Sequence, residues 1–211
     1  MAKPDKFSVL VVDDHPLMRL GVSTMINAQT DMTVVAQAAD GEEAIARYRE
    51  HMPDLTLMDL RLPGIGGVEA IRTIREYNPS ARFVVLTTYG GDEDIHRALA
   101  AGAHGYVLKR MPADVLLEAL RKVHAGVRCL PQPFIRNLGA RPPSSELSRR
   151  EREVLSLVTR GKSNKEIAAS LDITEATVKC HVSVILRRLD ASDRTQAVVV
   201  ALQRGIVHIE D

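Results

Sequence analysis

Five short, near-continuously apolar runs alternate with five segments of helical periodicity through the first 126 residues, and this alternation restricts the fold more than any other feature. The runs are Phe7–Val12, Thr33–Ala38, Leu55–Met58, Phe83–Thr87 and Gly105–Leu108. Between them, Pro16–Asn27, Gly41–His51, Val68–Tyr77, Asp92–Ala101 and Pro112–Ala125 repeat apolar residues at three- and four-residue intervals. A strand that is apolar at nearly every position has to be covered on both faces, and helices crossing over a parallel sheet provide that cover. The expected fold class is α/β, a five-stranded doubly wound parallel sheet.

The pattern changes after residue 126. Pro131, Pro133, Gly139, Pro142 and Pro143 rule out a long regular element, so residues 127–146 read as a linker with room only for a short helix around Phe134–Leu138. From residue 147 the periodicity is helical throughout. Ser148 with Glu151 and Ser163 with Glu166 have capping-box spacing and open two helices. Asp172–Thr174 breaks the second, Thr174 caps a third that runs to about Leu189, and a fourth spans about Arg194–Arg204. The expected organisation is a domain over 1–126, a linker over 127–146 and an all-α four-helix domain over 147–211.

Bulk properties exclude more than they assign. No run approaches the roughly 18 apolar residues of a membrane span, and the opening residues lead into a strand instead of a signal-peptide core, so a cytoplasmic protein with no membrane partner is expected. Cys129 and Cys180 are far apart and lack metal-ligand neighbours, which makes them free thiols. The net charge of +1 hides an acidic first part and a mildly basic remainder. Nucleic-acid binding depends on a patch, which a sum does not reveal.

Polar residues at the strand ends carry the first domain's chemistry. Asp13 and Asp14 follow the first strand directly, and Asp59 follows the third. In the flavodoxin-like strand order these two strands are neighbours, and ligands bind beyond their carboxyl ends. Aspartates brought so close repel one another unless a hard cation sits among them, and oxygen-only ligation suits Mg²⁺. Thr87 ends the fourth strand and Lys109 follows the fifth, adding a hydroxyl and an ammonium to the same rim. Phosphoryl transfer needs this combination: a carboxylate nucleophile, for which Asp59 is the candidate, and positive charge for the transferring oxygens.

The segments Val11-Val12-Asp13-Asp14-His15-Pro16, Met58-Asp59-Leu60-Arg61-Leu62-Pro63-Gly64, Leu86-Thr87-Thr88 and Gly102-Ala103-His104-Gly105-Tyr106-Val107-Leu108-Lys109 resemble the receiver domains of two-component response regulators. The resemblance implies that Asp59 accepts a phosphoryl group from a sensor histidine kinase. It implies Mg²⁺ held by Asp14, Asp59 and the backbone carbonyl of Arg61, with Asp13 helping through water. Thr87 and Tyr106 would form the switch pair, with Thr88 and Lys109 also on the phosphoryl side. Two positions depart from the family pattern: Arg110, in place of proline, follows Lys109, and Gly66 replaces the usual acidic residue, which should loosen the loop beside Asp59.

In the second domain, the helix after Thr174 puts Val178, Val182, Ile185 and Leu189 on one stripe, with Ala176, Cys180, Ser183 and Arg187 opposite and Lys179 on the flank. A short, polar outer face with cations suits a helix in the major groove, although an amphipathic helix in any small bundle shows the same stripe. Leu147-Ser148-Arg149-Arg150-Glu151-Arg152-Glu153-Val154-Leu155, Gly161-Lys162-Ser163-Asn164-Lys165-Glu166-Ile167-Ala168 and Thr177-Val178-Lys179-Cys180-His181-Val182 resemble the LuxR-type DNA-binding domain. Its position after a receiver resembles the NarL/FixJ subfamily. By motif position, Lys179, Cys180 and Ser183 face bases, while Lys165, Thr174, Thr177 and Arg187 contact phosphates. Val198, Val199 and Leu202 on the last helix fit core packing, or the dimer that the resemblance implies.

The function these features imply is a transcription factor, not an enzyme, in which phosphorylation of Asp59 controls binding to promoter DNA. Its partners would be the kinase, promoter DNA and a second copy of the chain, with RNA polymerase a further candidate. Two competing readings are a phosphorylation-independent regulator with a vestigial receiver and a Mg²⁺-dependent phosphatase. His15, His96, His104 and His181 have no convergent partner in the sequence and are assigned no chemistry.

Overall fold

A computed structural model of the chain describes residues 6–88, 91–130 and 147–207. The greater part of the expected linker, including Phe134–Leu138, lies outside the described residues. The chain divides into two compact units, one built on a β-sheet and one on the C-terminal helices.

The strands are β1 (Phe7–Val12), β2 (Met32–Ala38), β3 (Leu55–Met58), β4 (Phe83–Thr87) and β5 (Gly105–Leu108). All pairings are parallel and the order is β2-β1-β3-β4-β5. The connecting helices are α1 (Pro16–Asn27), α2 (Gly41–His51), α3 (Gly67–Tyr77), α4 (Asp92–Ala101) and α5 (Ala113–His124). Ends differ from the sequence expectation by a residue. Met32 is fully buried and extends β2, while Pro112 and Ala125 cap α5 from outside.

Alternate side chains of each strand serve opposite faces. Leu10, Val12, Met58, Phe83 and Val85 join Tyr48 of α2 and Ile71 and Ile74 of α3 on one side. Val9, Val11, Leu57 and Val84 join Ile26 of α1 and Leu120 of α5 on the other. Each such buried side chain contributes about 1.5–3 kcal/mol, against about 1 kcal/mol for a helix cap, so the two apolar layers decide this fold. Capping only trims the ends. Asp40, for example, caps α2 by accepting from the Glu43 N–H at 2.7 Å.

The loop from β3 to α3 is tied, contrary to the loosening expected around Gly66. Gly66 is the N-cap of α3 with an ordinary φ of −68°. The Gly67 N–H donates to the Leu60 carbonyl at 3.0 Å, and the Ile65 N–H donates to Glu42 of α2 at 3.4 Å. Backbone approach, not the residue at position 66, fixes the loop. A Cβ on Gly67 would lie 2.0 Å from the Asp59 carbonyl oxygen.

Beyond α5 the chain does not leave the sheet at once. Cys129 forms an isolated parallel bridge with Gly105 on the outer edge of β5. The first residues assigned by sequence to the linker therefore belong structurally with the sheet.

The second unit contains α6 (Arg149–Thr159), α7 (Asn164–Leu171), α8 (Glu175–Leu189) and α9 (Arg194–Gln203). Both capping boxes form, at Ser148 with Glu151 and at Ser163 with Glu166. Val154, Leu155, Ile167, Val178, Ile185, Leu189, Ala197 and Ala201 make its core. One carboxylate does two jobs: Glu151, 6% exposed, accepts from the Ser148 N–H at 2.6 Å and from the Arg188 guanidinium. This ties the start of α6 to the end of α8. Asp172 and Asp190, with φ of 51° and 54°, end α7 and α8 in the left-handed conformation. A short polar side chain tolerates that conformation better than other non-glycine residues do.

Gly67→Ala should destabilise the first unit by about 1–3 kcal/mol, because the added methyl meets backbone that cannot swing aside. Urea denaturation checks this, and stability equal to wild type would show that the β3–α3 junction is slack.

Candidate functional site

Parallel pairing carries the ends of β1, β3, β4 and β5 to one rim. The Asp59 N–H donates to the Val12 carbonyl at 2.9 Å, and the Lys109 N–H donates to the Thr87 carbonyl at 2.8 Å. Asp13 and Asp59 therefore leave adjacent strands side by side, and so do Thr87 and Lys109. The Lys109 ammonium lies 2.7 Å from Asp13 Oδ2 and 2.6 Å from Asp59 Oδ2, and all three side chains are buried. It hydrogen-bonds Asp59, whereas Asp13 Oδ2 keeps an ion pair without hydrogen-bond geometry. The other Asp59 oxygen accepts from the Arg61 N–H at 3.1 Å.

Burial pushes the Asp59 carboxyl above the ordinary carboxylate range, the Lys109 hydrogen bond and charge and the Arg61 N–H pull it back, and the Asp13 charge adds to the rise. For Lys109, burial alone would depress the ammonium, but the two carboxylates outweigh it and hold the group above its usual value. One cation therefore compensates two buried anions.

Asp13, Asp14, His15 and Asp59 each offer a ligand atom, and these atoms lie within 4.8 Å of one another. The carboxylate oxygens suit a divalent cation, because the acidic groups gathered at this rim outnumber the one ammonium among them. His15 is the residue that sequence reading left without a role. Its ring Nδ1 is 2.6 Å from Asp14 Oδ1, and its N–H donates to Asp13 Oδ1 at 2.9 Å, so it braces the acidic pair. Its place directly after the two aspartates was the available signal.

Among the other residues singled out, Thr87 is buried at the rim while Thr88 is exposed. Tyr106 is 3% exposed and belongs to the apolar layer that also contains Ile95 and Ala98 of α4. Arg61 is half-buried beside Asp59.

The second unit presents a separate polar face. On α8, Val178, Ile185 and Leu189 are buried, while Lys179, Cys180, Ser183 and Arg187 are exposed. Lys165 is exposed on α7. Thr174 and Thr177 are engaged with each other: their hydroxyls are 2.8 Å apart, and the Thr177 N–H donates to Thr174 Oγ1 at 3.1 Å. Their hydroxyls build the helix start first. Lys179 forms only a loose, exposed pair with Glu175 at 3.5 Å. Arg194, which the sequence left unassigned, reaches from α9 to Asn164 Oδ1 at 3.1 Å and to the Lys162 carbonyl, fixing the entry to α7.

Comparison with known proteins assigns a family to each unit. The family model of the response regulator receiver domain matches residues 9–121, and that of the bacterial regulatory proteins of the luxR family matches residues 145–201. The chain belongs to the two-component response regulators that join a receiver to a LuxR-type DNA-binding domain. It is 40% identical over 204 residues to the response regulator protein VraR of Staphylococcus aureus (strain NCTC 8325 / PS 47), covering 94% of this chain and 98% of that protein. Among solved structures it resembles a LuxR-family two-component response regulator from Aurantimonas sp. SI85-9A1, with TM-score 0.60 and 39% identity over 63% of this chain and 94% of that one. It also resembles the response regulator ChrA of a heme-sensing two-component system, with TM-score 0.55 and 34% identity over 95% of this chain and 98% of that one. Among the described residues, no helix is long and apolar enough to cross a membrane.

Replacing Lys109 tests the charge balance. An acid whose folded-state pKa is raised destabilises the fold above that pKa and ceases to do so as pH falls through it. Without the ammonium, Asp59 should rise further, so Lys109→Gln in EDTA should be less stable than wild type at neutral pH. The deficit should shrink as pH falls from neutrality through the raised Asp59 pKa. Urea denaturation across that range reads it, and a deficit that does not change with pH would contradict the charge argument.

Proposed function

We propose that Asp59 is the phospho-acceptor of this response regulator and that its phosphorylation controls promoter binding by α8. The observation that carries the reading is the Lys109 ammonium held against Asp13 and Asp59 at one rim of the sheet. An Asp59 oxygen attacks the phosphorus of a phosphohistidine on a sensor kinase, the phosphorus–nitrogen bond breaks, and an acyl phosphate forms. Lys109 neutralises charge on the phosphoryl oxygens, and the Arg61 N–H steadies the carboxylate. Mg²⁺ is the cation we assign to Asp13, Asp14, Asp59 and the Arg61 carbonyl, where it would supply further positive charge to the same oxygens. Thr87, with Thr88 exposed just beyond the strand, takes up the phosphoryl group. Tyr106 reads the change through the position of its ring. Nothing in this scheme turns over a substrate, so the domain takes part only in its own phosphorylation and dephosphorylation.

The limits we assign are 1–126 for the receiver, 127–146 for the linker, whose first residues stay on the edge of β5, and 147–211 for the DNA-binding domain. On DNA, Lys179, Cys180 and Ser183 face bases, and Lys165, Thr174, Thr177 and Arg187 meet phosphates. Two copies of the chain bind together, so that paired α8 helices read two half-sites. RNA polymerase is the further partner of such an assembly, and the cytoplasm is where promoter, polymerase and kinase meet.

Treatment of the full chain with acetyl phosphate and Mg²⁺ should give one hydroxylamine-labile phosphoryl group, absent from Asp59→Asn and absent in EDTA. A label retained by Asp59→Asn places the acceptor elsewhere. For DNA, binding-site selection with wild-type chain should yield an operator whose affinity rises on phosphorylation. Lys165→Ala and Arg187→Ala should weaken binding to all sequences and each lower the salt slope by about 1. Ser183→Ala should instead change base preference, and an unaltered selected site would remove Ser183 from the reading face.

A further inference from the structure

β5 is the last strand of the sheet, and an edge strand presents unpaired backbone groups. Two of these groups are taken up by the chain itself. At the end of α5, Gly126 adopts a φ of +83°, and the Val127 N–H donates back to the Lys122 carbonyl at 2.8 Å. This closure satisfies the end of the helix and reverses the chain. The next residues run beside β5 in the same direction. The Cys129 N–H donates to the His104 carbonyl at 3.0 Å, and the Tyr106 N–H donates to the Cys129 carbonyl at 2.9 Å. The bridge is centred on Gly105, where an added Cβ would sit only 3.1 Å from methyls of Val84 and Val123.

The side chains alternate as a strand's do. Cys129 packs on the layer formed with α1 and α5, and Leu130 packs on the opposite layer, the one that contains Tyr106. Tyr106 thus meets the departing chain directly through its N–H to Cys129, and Leu130 packs against the apolar layer to which Tyr106 belongs. Two hydrogen bonds and one apolar contact layer make a hold that can open locally while the sheet stays intact.

We propose that Val127–Leu130 is the output contact of the receiver, a short added strand whose grip on β5 is set by the position of Tyr106. Displacing the ring loosens the added strand, and loosening the strand frees the Tyr106 N–H. This inference rests on the reading of Thr87 and Tyr106 as the switch pair only for what moves the ring. The link between Tyr106 and Cys129 stands on the geometry alone.

Residue-resolved amide exchange by NMR on the full chain tests it. Tyr106→Ala should speed exchange at the Cys129 amide about tenfold while the Val9 and Leu57 amides keep their rates. Gly126→Ala acts from the other end: its methyl meets nothing within 4 Å, so only the left-handed backbone is strained. It should speed exchange at Cys129 and Tyr106 together, and it reports even where the Tyr106 variant fails to fold. The third arm is wild-type chain with beryllofluoride and Mg²⁺, in which the Cys129 and Tyr106 amides should shift together. Unchanged Cys129 exchange in Tyr106→Ala, or a Tyr106 amide indifferent to Gly126→Ala, overturns the proposal. Coupled responses in both variants with none to beryllofluoride uphold the contact and remove the phosphorylation reading instead.

Discussion

Two carboxylates and one ammonium, forced together by strand pairing, are the constraint from which the rest of the first unit follows. The register that joins Val12 to Met58 leaves no choice about where Asp13 and Asp59 go. Like charges buried side by side are costly in a medium less polar than water, and Lys109 offsets that cost only in part, since one ammonium is paired with two carboxylates. The site is therefore electrically unfinished. A group that brings positive charge relieves the strain. The same residues can thus be both a stability problem and a receptor for phosphoryl chemistry.

The surroundings serve to hold this arrangement still. Gly67 lets α3 start against the Asp59 carbonyl, Glu42 of α2 takes the N–H of Ile65, and His15 braces Asp13 and Asp14 from the start of α1. None of these contacts is large in energy beside the apolar layers above and below the sheet. Their effect is positional: they allow the loops at the carboxyl ends of the strands few alternatives. The second unit uses a comparable economy. Glu151 joins a helix cap to an ion pair with Arg188, so α8 is anchored near its end while Lys179 on its exposed face makes a loose pair with Glu175.

Much of this was legible in the sequence because it is local or periodic. Doubly buried strands announce themselves as unbroken apolar runs, and Ser148, Ser163 and Thr174 mark helix starts within the four residues that follow them. The converging residues at strand ends were legible too, since parallel topology turns a position in sequence into a position on the rim. What escaped depended on contacts between distant segments. The tie between Glu42 and Ile65 bears against the expectation of a loose loop at Gly66, and no spacing rule connects a helix residue with a loop residue 23 positions on. Arg194 binding the Lys162 carbonyl and Arg188 pairing with Glu151 are likewise products of helix packing. The docking of Cys129 on β5 was hidden for another reason: one bridged residue is too short to show any period.

That bridge is parallel, and its direction has a consequence for polarity. A chain that ended its sheet domain with α5 would be released near the amino ends of the strands, the pole opposite Asp59. Gly126 turns it round, and Val127–Leu130 then travel with β5, alongside His104, Gly105 and Tyr106 and toward the pole where Lys109 follows. The polypeptide therefore sets out from the domain already heading for its charged end. Whatever displaces the carboxyl-terminal part of β5 acts on a segment that runs with it, not on one moored at the remote pole.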